Sequence, residues 1–213
     1  MFGIPQEEWL VNHPVFAALR EDQKVERVWP ILAEAFAPLI YAVPSFLGIT
    51  LARADSHARE LLQQIWSDEL GTANTLSHPV LFENFHRKVT SRWGYFPDVH
   101  EFGIKAATGM IELCGSGPWP IGVAAMKAHE SQFPSTYASI LARASKDLGE
   151  ADEFFTVHAE ADVEHSAAAQ SLLEYSLKQK LVSEESLISS YNSSKSLIKT
   201  LVDQIWRYCN EIS

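Results

Sequence analysis

Cysteine is scarce. Cys114 and Cys209 are the two in 213 residues, with no short spacing to suggest a disulfide framework, a zinc ribbon or a C-x-x-C redox pair, so a reducing, cytoplasmic setting is expected. Positive charge is short as well. Seventeen Lys and Arg against 27 Asp and Glu leave a formal net charge of -10, which argues against a nucleic-acid partner because phosphate binding needs clustered cations. Long apolar runs are missing too. The most apolar stretch, Phe36 to Leu51, falls short of the roughly 20 residues that span a bilayer and carries Pro38 and Pro44, so no membrane span is expected. The opening MFGIPQEEWLVNHPVF has acids and a proline where a targeting segment would carry basic residues and then an apolar run.

Alternating β-branched runs bounded by turn pairs are nearly absent, whereas Ala, Leu, Glu, Gln and Lys recur at three- and four-residue spacing. The expectation is an all-α chain forming one domain over residues 1–213, a compact bundle of about seven helices. A short helix should follow Pro14, and a longer one, bent at its prolines, should run from about Asp22 to Ala54. A third spans Ser56 to Leu70, ended or distorted by Gly71. The next two cover His78 to Arg92 and about Val99 to Cys114, followed by a break at Gly115 to Pro118. A sixth runs on to about Asp147 with a disturbance at Pro134, a seventh from Ala151 to Gln179, and the last from Glu184 to Ile212.

The sharpest local pattern is HAEADVEH, residues 158–165. At about 100° per residue, Asp162 falls about 40° and His165 about 20° from His158, so the three share one helical face while Glu160 and Glu164 point away. The shared face continues as Ala169 and Leu172 after Phe154 and Phe155. Two imidazoles and a carboxylate on an apolar stripe need partners. They can satisfy one another as a hydrogen-bonded cluster, or they can bind metal together with acids from elsewhere.

Glu130 qualifies as such an acid, since its helical neighbours are Val123, Met126, Phe133 and Tyr137; the alternative is a buried acid paired with Lys127 or a tyrosine hydroxyl. His129 beside it is expected to point elsewhere. Glu69 lies on the face of Leu62, Ile65 and Trp66, and Asp68 on that of Glu60, Gln64 and Ile65, although a distortion at Gly71 could exchange the two. Nine residues separate Glu69 from His78, so they converge only if the chain breaks near Gly71; His78 could equally be a helix-start residue before Pro79. Glu69, His78, Glu130, His158, Asp162 and His165 together offer oxygen and nitrogen donors without thiolate, a set suited to Fe(II), Mn(II) or Zn(II). Among these metals iron makes oxygen chemistry available.

Three segments resemble the heme-oxygenase-like di-iron oxidases and oxygenases, related to the chlamydial CADD proteins and more distantly to PqqC and TenA. ELCGSGPWPIGVAAMKAHESQFP resembles that family's helix ending in a glutamate, FFTVHAEADVEH its H-x-x-x-D-x-x-H helix, and SDELGTANTLSHPVLF its segment with an acid before a glycine and a histidine after it. The resemblance implies that those six residues are the metal ligands, that the cofactors are two iron ions cycling between Fe(II) and Fe(III), and that dioxygen is the co-substrate. It implies oxidation of a small organic acid, an amino acid or fatty acid, with an external electron donor and a homodimer as open questions. Some N-oxygenating members add a carboxylate from an earlier helix, but residues 36–54 contain no Asp or Glu.

Tyr41, Phe46, Leu47, Trp66 and Tyr137 are the expected pocket lining, and Arg92, Lys105 and Lys127 the candidate partners of a substrate carboxylate. Two other functions fit the same bundle. One is a cofactor-independent enzyme of the TenA or PqqC type, which for thiaminase chemistry would need a reactive cysteine; Cys114 reads more simply as core. The other is a non-catalytic helical binding protein. His13, in HPVF, is expected to start a helix rather than to serve as an axial heme ligand.

Overall fold

The computed structural model describes residues 9–72, 74–149 and 153–211. Within them the chain forms α1 (Pro14–Arg20), α2 (Val25–Arg53), α3 (Ser56–Leu70), α4 (His78–Trp93), a 3-10 turn at Pro97–Val99, α5 (His100–Gly115), α6 (Trp119–Glu130), α7 (Phe133–Leu148), α8 (Glu153–Lys178) and α9 (Glu184–Glu211). Among the described residues the only β pairing is an isolated bridge between Thr72 and Thr75. The fold is all-α, as the residue spacing predicts. The predicted start of α8 at Ala151 and end of α9 at Ile212 lie outside the described residues.

Among the described residues the bundle has nine α-helices, more than the roughly seven expected and one more than the eight segments placed along the sequence, because the predicted sixth helix is two. Pro134 lacks the N–H that would bond the carbonyl of Glu130 four residues back, so α6 ends at Glu130 and α7 restarts with proline in its first turn. The corner is closed by bonds from Ser131 N to Lys127 O at 3.0 Å and from Gln132 N to His129 O at 2.9 Å. Buried Gln132 in turn accepts a bond from Trp9 N at 3.2 Å, tying the corner to the N-terminal segment.

The prolines of α2 have the opposite outcome. Pro30, Pro38 and Pro44 all lie inside one helix of 29 residues, so the apolar run is longer than the interrupted stretch from Phe36 to Leu51. By length and composition alone α2 could cross a membrane. In this fold it is the central helix, packed on α5, α4, α3, α9, α6 and α1. The α2–α5 contact is so close that a methyl group at Gly103 would overlap the carbonyl of Ala35 and the ring of Pro38.

A second close approach places the end of α3 beside the start of α4. Gly71 has φ of 76°, a region that favours glycine, and a Cβ there would lie 2.6 Å from both Ser77 N and Thr75 O. The chain therefore doubles back tightly after Gly71. Beneath this turn an aromatic layer of Trp29, Phe82, Phe85, Phe154 and Phe155 packs with ring centroids between 5.0 and 6.0 Å apart. That layer is rigid ground for whatever α8 presents above it.

Candidate metal centre

α8 presents His158, Asp162 and His165, all buried on the face that the helical period assigns to them. The return at Gly71 brings His78, the first residue of α4, against Glu69, near the end of α3. His78 Nδ1 lies 2.9 Å from Glu69 Oε2 but off the direction of a hydrogen bond. The chain break that a nine-residue spacing demands is present, and the buried acid is Glu69.

Two groups of donors result, one of Glu69, His78 and His158, the other of Glu69, Asp162 and His165, each with its ligand atoms within 4.8 Å of one another. Glu69 belongs to both. The outer nitrogens of two imidazoles are held. His158 Nδ1 donates to the carbonyl of Phe154 at 2.7 Å, which leaves Nε2 with its lone pair free. His165 Nε2 meets Asp68 Oδ2 at 3.4 Å, and its Nδ1 lies 3.7 Å from Glu69 Oε1. Asp68, more than half exposed, thus backs a ligand candidate rather than being one. A carboxylate or carbonyl behind an imidazole fixes ring orientation and tautomer and is the usual outer partner of a metal-binding histidine.

Glu130 reaches the same place from the end of α6, lining one cavity with Glu69, His158 and Asp162. Its Oε2 is enclosed without a hydrogen-bond partner among the described residues, as are Nδ1 of His78 and Nδ1 of His165. Burial pushes the Glu130 carboxyl up to about 8, with the charge of Glu69 adding to it and Lys127 opposing. Burial, then Glu130 and Glu69, raise Asp162 well above the ordinary carboxylate range. Glu69 itself would be raised by burial, but the imidazoles of His78, His158 and His165 outweigh that and bring it below its usual value. Burial and the neighbouring His78 take His158 down to about 4. Without metal, Glu130 holds a proton and His158 is neutral, a state that a divalent cation would relieve. Unsatisfied enclosed atoms on three elements, a mixed oxygen and nitrogen donor set and a shared carboxylate all fit a metal centre.

The cavity beside these groups is walled by Leu39, Ile40, Val43, Phe46, Leu47 and Met126, with Phe133, Tyr137 and His129. Phe46, Leu47 and Tyr137 are where the sequence reading places them. Tyr41 and Trp66 are absent from the lining, and Tyr41 is 46% exposed. His129 departs from expectation. It is buried in this wall, edge-on to Phe46 and Phe133, with Nε2 unpartnered among the described residues and its pKa lowered to about 4 by burial. Because α6 is in its last turn at His129, neighbouring residues 129 and 130 both reach the cavity that a continuous helix would offer to one alone.

None of the proposed carboxylate partners lines this cavity. Arg92 bonds the carbonyl of Asp147, Lys105 pairs with Glu101 on the surface, and Lys127 donates to Ser166. The one buried acid of α2, Glu34, is turned toward His86 at 2.8 Å and His100 at 3.9 Å and takes no part in either donor group. Cys114 is buried core with its thiol pushed up to about 11, chiefly by burial, and does not line the cavity. His13 caps α1, accepting from Val15 N at 3.3 Å, as expected of a helix start.

An all-α bundle enclosing these donors has the character of a metal-dependent enzyme, and residues 31–190 match the family described as iron-containing redox enzymes; the chain belongs to that family. Two relatives carry the name 4-aminobenzoate synthase. That of Nitrosomonas europaea is 26% identical over 193 residues, covering 81% of this chain and 76% of its own length. That of Chlamydia pneumoniae is 23% identical over 214 residues, covering 96% of this chain and 91% of its own.

Proposed function

We propose that this protein is a non-heme di-iron oxidase or oxygenase acting on a small organic molecule. The observation that carries the reading is the pair of buried three-donor groups sharing Glu69. Glu69, His78 and His158 would hold one ion, and Glu69, Asp162 and His165 the other, with Glu130 adding a third carboxylate from the cavity side. When bound, two irons would supply electrons for the reduction of dioxygen.

The chain's own residues orient, insulate and hold protons. Phe154 O and Asp68 set the two α8 imidazoles. The apolar wall excludes water from the donors' cavity side. Among the groups lining it, Tyr137 and His129 are the polar side chains outside the donor set, and neither is cationic at neutral pH. With no Lys or Arg in the lining, the wall favours a substrate with an apolar body and an uncharged polar group that an imidazole can meet. An amino or fatty acid is compatible with this only if its carboxylate is turned to the donor side. The relatives' name makes 4-aminobenzoate the first product to look for.

Anaerobic loading with Fe(II), followed by removal of loose metal, tests the reading. Wild type should retain about two irons per chain, His158→Ala about one or fewer, and Glu69→Ala close to none, since its loss strips both groups. Loaded wild type should then consume dioxygen, and products are screened by mass spectrometry. Retention of two irons by Glu69→Ala, or of none by wild type, would end the proposal.

A further inference from the structure

The acids that turn away from the centre on α8 form a surface of their own. Glu160 and Glu164, with Glu153 and Asp68, line an open groove of about 540 Å³ that contains no Lys or Arg among the described residues. Glu160 and Glu164 stand four residues apart on one helix, a like-charge spacing that disfavours the helix unless something compensates. Neither has an ion-pair partner among the described residues. His78 lies in the groove's lining, 4% exposed, with the unpartnered Nδ1 that faces Glu69. Asp68 stands at the same groove and touches His165.

The donor set thus has two sides. Toward one lies the apolar cavity, bounded by Leu39, Ile40, Val43, Phe46 and Leu47. A hydrated dication crossing that wall would shed its water with little besides His129 and Tyr137 to replace it. Toward the other lies a groove whose carboxylates can exchange for water one at a time until His78 is reached. We propose that this groove is the loading path for divalent metal: Glu160, Glu164 and Glu153 gather the hydrated cation, and Asp68 and His78 pass it inward to Glu69. The inference rests on the metal centre described above. It leaves the cavity free for organic substrate and dioxygen, so cation and substrate approach from different sides.

Stopped-flow uptake of Co(II) by metal-free protein, followed through the growth of its visible absorption, tests the path. The variants are E153Q/E160Q/E164Q and, as a control of equal charge change, E112Q/E184Q/E185Q on exposed positions away from the groove. Wild type and control should load at the same rate, slowing as salt is raised. The groove variant should load about tenfold more slowly at low salt, with little further dependence on salt, yet reach the same final metal content. Equal rates in all three proteins, or equal slowing by both variants, would overturn the path while leaving the centre intact. Failure of wild type to bind Co(II) at all would instead remove the centre, and the path with it.

Discussion

At the scale of single residues the separation of Asp68 from Glu69 matters most. Adjacent acids at the end of α3 take different tasks because consecutive residues on a helix differ by about 100°. Glu69 is enclosed among imidazoles, and Asp68 stands in the groove with one oxygen on His165 Nε2. Asp68→Asn keeps the shape and removes the charge that favours the Nδ1-free tautomer of His165. Metal affinity of that variant, measured by competition with a chelator, should fall about 10- to 100-fold with the fold unchanged by circular dichroism. An affinity equal to wild type would show that the contact does no work. The α8 donors were legible because a helical period needs no tertiary information. His129 was not, since its place in the cavity follows from α6 ending one residue later, and only the packed corner shows that.

At the scale of elements the prolines carry the lesson. Pro134 divides two helices while three prolines leave α2 whole, although all four remove the same backbone donor. Apolar spacing runs through Val123, Met126, Phe133 and Tyr137 without a gap, so periodicity alone hides the corner at 131–132. In α2 the packing of neighbours on every side overrides local propensity. Likewise the convergence of Glu69 and His78 required a return that nine residues of sequence allow but do not specify; Gly71 was the visible hint. The α2–α5 contact offers a direct test. Gly103→Ala places a methyl group against the Ala35 carbonyl and the Pro38 ring, and should cost about 1–3 kcal/mol of stability by chemical denaturation, as overpacked sites do. No loss would mean that α5 can shift away from α2 freely.

At the scale of the whole molecule the centre sets how folding responds to pH. Glu130 is held near 8 when folded and would titrate near 4.5 when unfolded. From the lower value upward the unfolded chain releases a proton that the folded one keeps, so stability falls as pH rises and levels off above about 8. His158 and His129, both lowered to about 4, act oppositely, but most of their contribution is in place by about 6.5. Between pH 6.5 and 8, metal-free protein should therefore lose stability, Glu130→Gln should lose less, and bound metal should abolish the trend. Urea midpoints in chelator at the two pH values decide it; a rising midpoint in wild type would contradict the assignment. Finally, three of the six donors stand on two turns of one rigid rod, with rotation and rise both set by α8. An added residue between His158 and Asp162 would swing everything beyond it by about 100°, parting the first imidazole from the other two groups. The interval 158–165 is thus a ruler that tolerates exchange of its outward letters but no change of length, and an alanine inserted after Ala161 should empty the centre while sparing the helix.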